Sequence, residues 1–465
     1  MNYYFLGIGG IGMSALARYF HQRGDRVSGY DRTETPLTRQ LVAEGIPVHY
    51  QDNPALVPDG IDLVVYTPAV PTDTAEYQYL LEKGYPIKKR SQVLGEIARG
   101  KKCIAVAGTH GKTSTSSMIA HILSHTDAGC SAFLGGVSKN FNSNVLVNND
   151  SEYVVVEADE YDRSFLQLTP HCAVITATDA DHLDIYGTRE NMVEAFRQFA
   201  SQIHPDGTLV LKQGLTLNPH SDHDDHSDHH DHTGPHSIEG VAAQTVSYTA
   251  HGIEADYYPW NVRNYNGNIF FDLRTPKGVY YDIELPNASL YNIENAVAAA
   301  AIVTTLGVNE HQLRYGLKTY AGVQRRFDYR IKRKDLIMID DYAHHPQEIA
   351  ACIESIRYLY PGKRVVGIFQ PHLYSRTRDF ADQFAQVLST LDELIMLPIY
   401  PAREKPILGV TSSMILRKID SLSKYLCTPD QAIELVPALC PDVVVTMGAG
   451  DIDRLVPRLE EALSQ

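Results

Sequence analysis

Short apolar runs alternate with segments of helical periodicity along almost the whole chain. Early in the chain the pattern predicts strands at 3–8, 27–30 and 62–67 and helices at 11–23 and 92–98. Later strands are predicted at 103–107, 153–156, 172–176, 208–211, 245–248, 336–339, 364–369, 393–398 and 443–446. This alternation is typical of βαβ units around mostly parallel sheets. The sequence therefore predicts an α/β protein without an internal repeat.

One segment, 218–237, interrupts this pattern because it is rich in histidine and aspartate and has almost no apolar residue. Such a composition cannot bury itself, so we predict a disordered surface insertion between the strands at 208–211 and 245–248. The alternative is opportunistic Zn²⁺ or Ni²⁺ binding, since imidazoles and carboxylates are suitable ligands. We assign the insertion no part in catalysis.

Length and composition limit the remaining possibilities. With 465 residues the chain is long enough for two to four domains. A formal net charge of −15 argues against a nucleic-acid or anionic-membrane partner. The six cysteines lack paired spacing and are predicted to be buried thiols in a reducing compartment rather than disulfide or metal ligands. Because we find neither a signal peptide nor a membrane span, we expect a cytoplasmic protein. We also expect a monomer or weak homodimer.

A glycine-rich turn, Gly7-Ile-Gly-Gly-Ile-Gly12, follows the first predicted strand and opens a helix. Gly9, Gly10 and Gly12 would let a phosphorylated ligand approach the backbone, and Asp31 ends the next strand, where it can bond a ribose hydroxyl. The pattern predicts a nucleotide site. The alternative is a tight strand-to-helix turn that merely needs glycines.

A second loop, Gly108-Thr-His-Gly-Lys-Thr113, joins the strand at 103–107 to another helix. It is not a strict P-loop, because Val106 stands in the place of the first glycine. Lys112 can still reach the β- and γ-phosphates of a nucleotide, Thr113 can ligate Mg²⁺, and the helix N-terminus faces the phosphates. We predict ATP binding here rather than a structural glycine turn.

Charged side chains end the next two predicted strands. Glu157 closes the strand at 153–156, where a Mg²⁺ ligand would lie, and His182 stands in Asp181-His-Leu-Asp184 after the strand at 172–176. A carboxylate and an imidazole beside a triphosphate suggest a second cation site. Solvated strand ends are the alternative for both.

Several blocks together resemble the Mur ligases of peptidoglycan synthesis. They are Gly-Ile-Gly-Gly-Ile-Gly-Met-Ser, Gly-Thr-His-Gly-Lys-Thr, Glu-Ala-Asp-Glu, Asp-His-Leu-Asp, Gln324-Arg-Arg-Phe327, Asp340-Asp-Tyr-Ala-His-His-Pro346, Gln370-Pro-His-Leu-Tyr-Ser-Arg-Thr-Arg378, Tyr400-Pro-Ala-Arg-Glu404 and Gly448-Ala-Gly-Asp-Ile452. The resemblance covers essentially the whole chain and is strongest to the alanine-adding branch. It implies three domains: a Rossmann-like UDP-sugar domain at 1–99, a central α/β domain of the P-loop ATPase type at 100–322, and a Rossmann-like domain at 323–465.

The resemblance also implies a reaction and a set of site residues. The reaction is ATP- and Mg²⁺-dependent ligation of L-alanine to UDP-N-acetylmuramate through an acyl phosphate, with two Mg²⁺ ions. Residues implied for the UDP-sugar are Gly9, Gly10, Gly12, Asp31, Thr67 and Arg90. Those implied for ATP are Gly108, Thr109, His110, Gly111, Lys112, Thr113, Ser114, Asn292, Asn295, Arg326 and Asp341, with Thr113, Glu157 and His182 on the metal ions. Those implied for alanine and the muramoyl carboxylate are Tyr342, His344, Arg376 and Arg403. Lys112, Glu157, His182, Arg326 and His344 are the implied catalytic residues.

Three positions depart from the family pattern. Tyr291 stands where a histidine is common, which affects how adenine packs, and Leu373 fills a place that is often basic. No lysine occurs between His182 and Lys212, and the alanine-adding branch is similar in lacking one. Two alternatives stay open. In one, Arg325 and Arg326 form a solvated pair. In the other, His344 and His345 are ordinary helix-start residues.

Three other functions compete with this ligase. A nicotinamide oxidoreductase would leave the second loop and the acidic clusters unexplained. A non-enzymatic UDP-sugar-binding regulator is opposed only by Lys112, Glu157 and His182. A recycling ligase that joins a whole peptide to the same sugar is disfavoured by the N-terminal glycine block.

Overall fold

The computed structural model describes residues 1–179, 183–215, 217, 238, 240–402, 404–420 and 423–464. The insertion at 218–237 lies outside these residues. The chain divides into two compact units. The first comprises Met1–Trp260, Asp272–Ile283 and Glu294–Tyr320, and the second comprises Asn261–Phe271, Glu284–Ile293 and Ala321–Gln465. Across the described ranges, no helix has the length and apolar character needed to cross a bilayer.

The first hundred residues form a parallel sheet in the order β3-β2-β1-β4-β5. Its strands are β1 (Asn2–Leu6), β2 (Arg26–Tyr30), β3 (Val48–His49), β4 (Leu63–Tyr66) and β5 (Ile87–Lys89). Its helices are α1 (Ile11–Gln22), α2 (Pro36–Ala43), α3 (Ala75–Glu82) and α4 (Arg90–Arg99), and a 3₁₀ turn covers Pro54–Leu56. The chain order reverses between β1 and β4, so the first glycine loop lies at the switch point where α/β sheets bind ligands.

The middle of the chain forms a larger sheet in the order β12-β11-β10-β6-β9-β7-β8. Its strands are β6 (Lys102–Ala107), β7 (Ser131–Ser138), β8 (Ser143–Leu146), β9 (Tyr153–Glu157), β10 (Cys172–Ile175), β11 (Thr208–Lys212) and β12 (Gln244–Tyr248). The helices here are α5 (Lys112–Ser124), α6 (Leu183–Tyr186) and α7 (Arg189–Ser201), with a 3₁₀ segment at Tyr161–Gln167. Only the β7–β8 pairing in this sheet is antiparallel among those described. The buried strands are nearly continuous apolar runs, as parallel strands covered on both faces require.

Helix α1 joins the first sheet to the middle sheet within the first unit. The Arg18 side chain is 2% exposed, and its guanidinium donates 2.6 and 3.0 Å hydrogen bonds to the Glu44 carboxylate. It also donates a 2.6 Å bond to Asn144 Oδ1 at the β8 edge. The Tyr19 ring packs against Phe133 of β7 with ring centroids 5.1 Å apart. One continuous core therefore runs through both parts of this unit.

A small sheet follows that the sequence did not predict. Its strands β13 (Tyr258–Tyr265), β14 (Asn268–Thr275) and β15 (Gly278–Leu285) lie in chain order. The expectation of uniform α/β alternation is wrong here, because turns of two residues join successive strands with no crossover helix. Helices α8 (Tyr291–Thr305) and α9 (Glu310–Thr319) come next.

The last part of the chain forms a sheet in the order β16-β17-β21-β18-β19-β20, parallel except for β16. Its strands are β16 (Asp328–Lys332), β17 (Ile337–Asp341), β18 (Val365–Phe369), β19 (Glu393–Met396), β20 (Ser423–Leu426) and β21 (Val443–Met447). Its helices are α10 (Pro346–Leu359), α11 (Tyr374–Asp379), α12 (Ala381–Leu388), α13 (Ser412–Leu416), α14 (Pro429–Ala438) and α15 (Leu455–Ser464), with a 3₁₀ turn at Asp451–Arg454.

The predicted strands are confirmed, each with ends shifted by at most two residues. The cysteine prediction needs one correction. All six thiols are free, but Cys440 is exposed while the other five are buried. Cys440 follows the last turn of α14, where the backbone turns into the left-handed region with φ 47°.

Candidate active site

The loop between β6 and α5 is shaped by two glycines with positive φ. Gly111 begins α5 at φ 78°, and Gly108 leaves β6 at φ 129°. A Cβ on Gly108 would lie 2.8 Å from the Ala177 nitrogen, so only glycine fits there. The Thr176 hydroxyl donates to the carbonyl oxygens of Ala107, at 3.1 Å, and His110. The loop is thus fixed from the neighbouring strand, and the N-terminal end of α5 stands at its mouth, where anions are stabilised.

The side chain of Lys112 lies inside this loop. Its ammonium donates a 2.7 Å hydrogen bond to the Gly108 carbonyl oxygen and lies 2.8 Å from each oxygen of the Glu160 carboxylate. Burial acts to lower the pKa of Lys112, but the carboxylates of Glu160 and Glu157 outweigh it, so the pKa is raised and the lysine is charged. A fixed cation therefore stands at the helix N-terminus.

Glu157 ends β9 directly beside this loop. Its Oε1 accepts a 3.1 Å hydrogen bond from the Thr113 hydroxyl, and its Oε2 accepts a 2.8 Å bond from the Gly135 amide. The hydroxyl and the carboxylate present hard oxygen ligands of the kind Mg²⁺ prefers. Within the described ranges no three His, Cys, Asp or Glu residues gather closely enough to hold a metal by themselves. This donor set fits Mg²⁺, which is commonly held by one or two protein ligands plus substrate phosphates.

The structure places most other predicted ATP residues around the same loop. Thr109 donates its amide to the Ala177 carbonyl oxygen at 3.1 Å, and the His110 Nε2 lies 3.6 Å from Asp179 Oδ2. Ser114 is buried in the first turn of α5. Predicted His182 lies outside the described residues.

Helix α8 carries both predicted asparagines. Asn295 Oδ1 accepts a 3.2 Å hydrogen bond from the Thr115 hydroxyl in α5, and a Cβ on Gly111 would lie 2.6 Å from the same oxygen. Asn292 lies one turn earlier in α8 and is buried as well. Asn295 is therefore brought to the start of α5 from far along the chain.

The first glycine loop is closed by Asp31. The Gly9 amide donates a 2.8 Å hydrogen bond to Asp31 Oδ2, and the Thr33 amide donates a 3.1 Å bond to Oδ1. The Gly10 amide donates to the Gly7 carbonyl oxygen at 3.2 Å, which completes the turn. Asp31 thus orders both the glycine turn and the end of β2.

Thr67 and Arg90 border the same loop. A Cβ on Gly7 would lie 2.7 Å from Thr67 Cγ2, and one on Gly12 would lie 2.8 Å from Arg90 Nη1. Arg90 Nη2 also lies 3.5 Å from Asp159 Oδ2. The structure therefore brings the predicted UDP-sugar residues together at one end of the first sheet, with the Arg90 guanidinium beside the glycine turn.

In the second unit, Asp341 is held at the end of β17 by three donors. Its Oδ2 accepts 2.8 Å bonds from the Tyr291 hydroxyl and the Phe327 amide, and its Oδ1 accepts a 2.8 Å bond from the Ala343 amide. Burial raises the pKa of Asp341, while the bond from Tyr291 acts against this rise. The tyrosine at position 291, where the family commonly has a histidine, therefore has a structural consequence. Its hydroxyl orients Asp341, a residue predicted to bind ATP.

Two arginines border the Tyr342 ring. The guanidinium carbons of Arg325 and Arg326 lie 5.1 and 4.9 Å from the ring centroid, within cation–π range. Arg325 also donates to the Gly448 carbonyl oxygen at 2.5 Å and lies 3.5 Å from Asp340 Oδ2. The alternative of a solvated arginine pair is wrong, because both side chains have partners in this unit.

His344 and Arg376 extend the cluster around Tyr342. His344 Nδ1 lies 2.9 Å from the Tyr342 carbonyl oxygen and 3.2 Å from Glu348 Oε2. Burial lowers the pKa of His344, so the neutral imidazole is favoured. Its neighbour His345 is the N-cap of α10, so the alternative of an ordinary helix-start residue holds for His345.

One residue of this cluster, His372, was not predicted from the sequence. The His372 ring lies 6.0 Å from that of His344 and stacks on Tyr400 at 5.8 Å, with its Nδ1 3.5 Å from Arg376 Nη1. Its place in the Gln370-Pro-His-Leu-Tyr-Ser block was the available signal. The next residue, Leu373, adopts φ 68° and ψ 140°, a strained conformation for a side chain with a Cβ. Predicted Arg403 lies outside the described residues.

Two residues of the first unit, Glu160 and Gly135, were not predicted from the sequence either. Glu160 was quoted only as part of the Glu-Ala-Asp-Glu block, yet its carboxylate holds Lys112. Gly135 had no signal at all, although its amide orients Glu157. Both become apparent only from the order of strands in the middle sheet.

Comparison with known proteins gives three consecutive family matches. Residues 2–102 match the model described as Mur ligase family, catalytic domain. Residues 106–303 match the Mur ligase middle domain, and residues 325–450 match the model described as Mur ligase, glutamate ligase domain.

Similar proteins extend along the full length. The chain is 49% identical to a UDP-N-acetylmuramate–L-alanine ligase of Parabacteroides distasonis, over 99% of this chain and 96% of the relative. It is 46% identical to a protein of the same name from Porphyromonas gingivalis, over 99% and 98% of the two chains. The crystal structure of UDP-N-acetylmuramate-alanine ligase from Thermotoga maritima matches with a TM-score of 0.83 and 27% identity, covering 100% and 99% of the chains.

Proposed function

The chain belongs to the Mur ligase family, and we propose that it ligates L-alanine to UDP-N-acetylmuramate with conversion of ATP to ADP and phosphate. The observation that carries the proposal is the loop at the start of α5, where Lys112, Thr113 and Glu157 converge. Lysine, helix N-terminus and oxygen ligands at one point are what phosphoryl transfer from a nucleotide requires. The α/β architecture expected for the family is confirmed by the three successive matches.

The reaction proceeds in two steps. The muramoyl carboxylate oxygen attacks the γ-phosphorus of ATP, the bond to the β-γ bridging oxygen breaks, and ADP leaves. The free amine of L-alanine then attacks the acyl carbon of the resulting acyl phosphate, loses a proton, and phosphate leaves as the amide forms. No protein nucleophile is needed, because positioning and charge stabilisation lower the barrier.

Each group in the first unit has a definite part in this scheme. Lys112 stabilises charge on the transferring phosphoryl group, since its ammonium is fixed in the loop. Thr113 and Glu157 would hold Mg²⁺, which offsets the repulsion between the carboxylate and the triphosphate when bound. Asp31 and Arg90 orient the UDP-sugar at the first glycine loop.

In the second unit we assign the amino-acid and carboxylate contacts to the cluster around Tyr342. Arg376 supplies positive charge for a carboxylate, and His344 is favoured in its neutral form. A neutral imidazole can accept a proton from an attacking amine. Asp341 and Arg326 remain proposed contacts of the nucleotide.

The proposal is tested by ADP release with UDP-N-acetylmuramate, ATP and Mg²⁺, with L-alanine, glycine, L-serine or a peptide as acceptor. We expect release that depends on L-alanine and on Mg²⁺. Lys112→Ala should reduce the rate by roughly 10²- to 10³-fold, the range for loss of one charge-stabilising donor. The matched control is Lys102→Ala, because Lys102 lies at the other end of β6 with its side chain 45% exposed. Equal turnover in Lys112→Ala and the control, or turnover only with a peptide acceptor, refutes the proposal.

A further inference from the structure

The ammonium of Lys112 is already paired inside the protein. A lysine ammonium carries three N–H groups. In the structure two of these groups donate, to the Gly108 carbonyl oxygen at 2.7 Å and to Glu160 Oε1 at 2.8 Å, and Glu160 Oε2 lies 2.8 Å from the same nitrogen as an ion-pair contact. A phosphate that approaches Lys112 therefore meets an ammonium whose charge is already paired with a buried carboxylate.

Glu160 is placed by the fold independently of the lysine. Its carboxylate is 1% exposed, and its carbonyl oxygen accepts bonds from the Tyr186 hydroxyl at 2.6 Å and the Arg163 amide at 3.0 Å. The segment that follows contains two residues with positive φ, Asp162 at 53° and Arg163 at 54°. Such strain persists only where surrounding structure imposes it.

Phe165 holds this segment in place through both its backbone and its side chain. Its amide donates a 3.0 Å bond back to the Asp159 carbonyl oxygen, and its ring stacks on Phe199 of α7 with centroids 5.0 Å apart. Phe165 is 1% exposed in the core of the first unit. The core thus fixes the segment, the segment fixes Glu160, and Glu160 fixes Lys112.

We propose that Glu160 is a positioning residue for Lys112 that competes with the ATP phosphates for the lysine ammonium. The inference rests on the proposed function, since it deepens the role of the same loop. Glu160 keeps the ammonium at the mouth of the loop, and a bound phosphate competes with its carboxylate for that positive charge. Glu160 therefore lowers nucleotide affinity while raising the rate of the bound complex.

The test measures binding of the ATP analogue AMP-PNP with Mg²⁺ by calorimetry in the full chain. Glu160→Gln should bind the analogue roughly tenfold more tightly, the equivalent of one charge-assisted hydrogen bond no longer in competition. Its kcat for ligation should fall, because the ammonium is no longer fixed. A defect in packing alone would weaken binding and turnover together, so the opposite directions are diagnostic.

The matched control is Glu152→Gln. Glu152, the exposed residue just before β9, pairs at 3.1 Å with Lys102 at the start of β6. The control should keep both the affinity and the kcat of the unaltered protein. Glu160→Asp, whose carboxylate is drawn back by one methylene, should fall between Glu160→Gln and the unaltered protein in both quantities. If Glu160→Gln does not fold, an affinity of Glu160→Asp no higher than that of the unaltered protein overturns the proposal.

A measurement without nucleotide completes the test. Either Lys112→Met or Glu160→Gln alone should lower the melting temperature, because one buried charge loses its partner. The double variant should recover part of that loss, and additive losses would contradict the pairing. If the unaltered protein ligates alanine but Glu160→Gln does not bind the analogue more tightly, the inference fails alone. If the affinities behave as expected but no alanine is ligated, the proposed function fails alone.

Discussion

Replacing Tyr291 by phenylalanine tests how the second unit holds Asp341, whose carboxylate is predicted to contact the nucleotide. The Tyr291 hydroxyl donates a 2.8 Å hydrogen bond to Asp341 Oδ2, and Asp341 is buried while Tyr291 is half-buried. The variant removes this donor and little else. Asp341 then keeps only the amides of Phe327 and Ala343.

The expected loss of stability follows from the charge on the acceptor. A hydrogen bond to a charged group contributes about 1.5–3 kcal/mol, so we expect the free energy of unfolding to fall by about 2 kcal/mol at neutral pH. The bond favours the ionised carboxylate, so its removal raises the pKa of Asp341 further. The stability difference between the two proteins should therefore shrink as pH falls and Asp341 becomes protonated.

The assay is urea unfolding followed by circular dichroism at several pH values, together with hydrogen exchange at the Phe327 and Ala343 amides. In ligation assays the KM for ATP should rise more than kcat changes. Tyr265→Phe is the matched control, because that hydroxyl belongs to a side chain 69% exposed in the same unit. Equal stability of Tyr291→Phe and the control across the pH series would refute the reasoning.

Three further predictions concern other parts of the molecule. In Gly135→Ala the new Cβ would collide with the Glu157 carboxylate, so the Mg²⁺ concentration for half-maximal ADP release should rise. Arg18→Met breaks a buried ion pair with Glu44, and urea unfolding should show a loss of about 3 kcal/mol, the lower end for such pairs because Glu44 is a third exposed. Burial raises the pKa of Asp340 from 3.8 to about 6, so the folded state binds the proton more tightly than the unfolded state. Stability should therefore fall as pH rises across that window, and Asp340→Asn, measured by unfolding at each pH, should lose this dependence.

Each of these three predictions has a result that would contradict it. An unchanged Mg²⁺ requirement in Gly135→Ala would mean that Glu157 is not a metal ligand. If Arg18→Met unfolds at the same urea concentration as the unaltered protein, the buried pair does not stabilise the first unit. Identical pH slopes for Asp340→Asn and the unaltered protein would show that Asp340 titrates normally.

The elements of the fold could be predicted from local sequence because their signals are local. Buried parallel strands are short apolar runs, as Cys103–Ala107 and Val154–Val156 illustrate, and each was found within two residues of its ends. The three-stranded sheet at 258–285 escaped prediction. Its strands mix exposed and buried positions without clear alternation, so the period-2 signal is weak.

The sequence by itself determined the loop that we propose for phosphate binding, because a glycine turn followed by Lys112 and Thr113 encodes its own geometry within six residues. Only the tertiary structure decided which side chains act on that loop. Glu160 lies 48 positions from Lys112, and Tyr291 lies 50 positions from Asp341. The first pair meets because β9 pairs with β6, although β7 and β8 intervene in the chain. The second pair meets within the second unit, where the Tyr291 hydroxyl reaches the Asp341 carboxylate. Strand order is fixed by burial across the whole sheet, and no local pattern of residues records it.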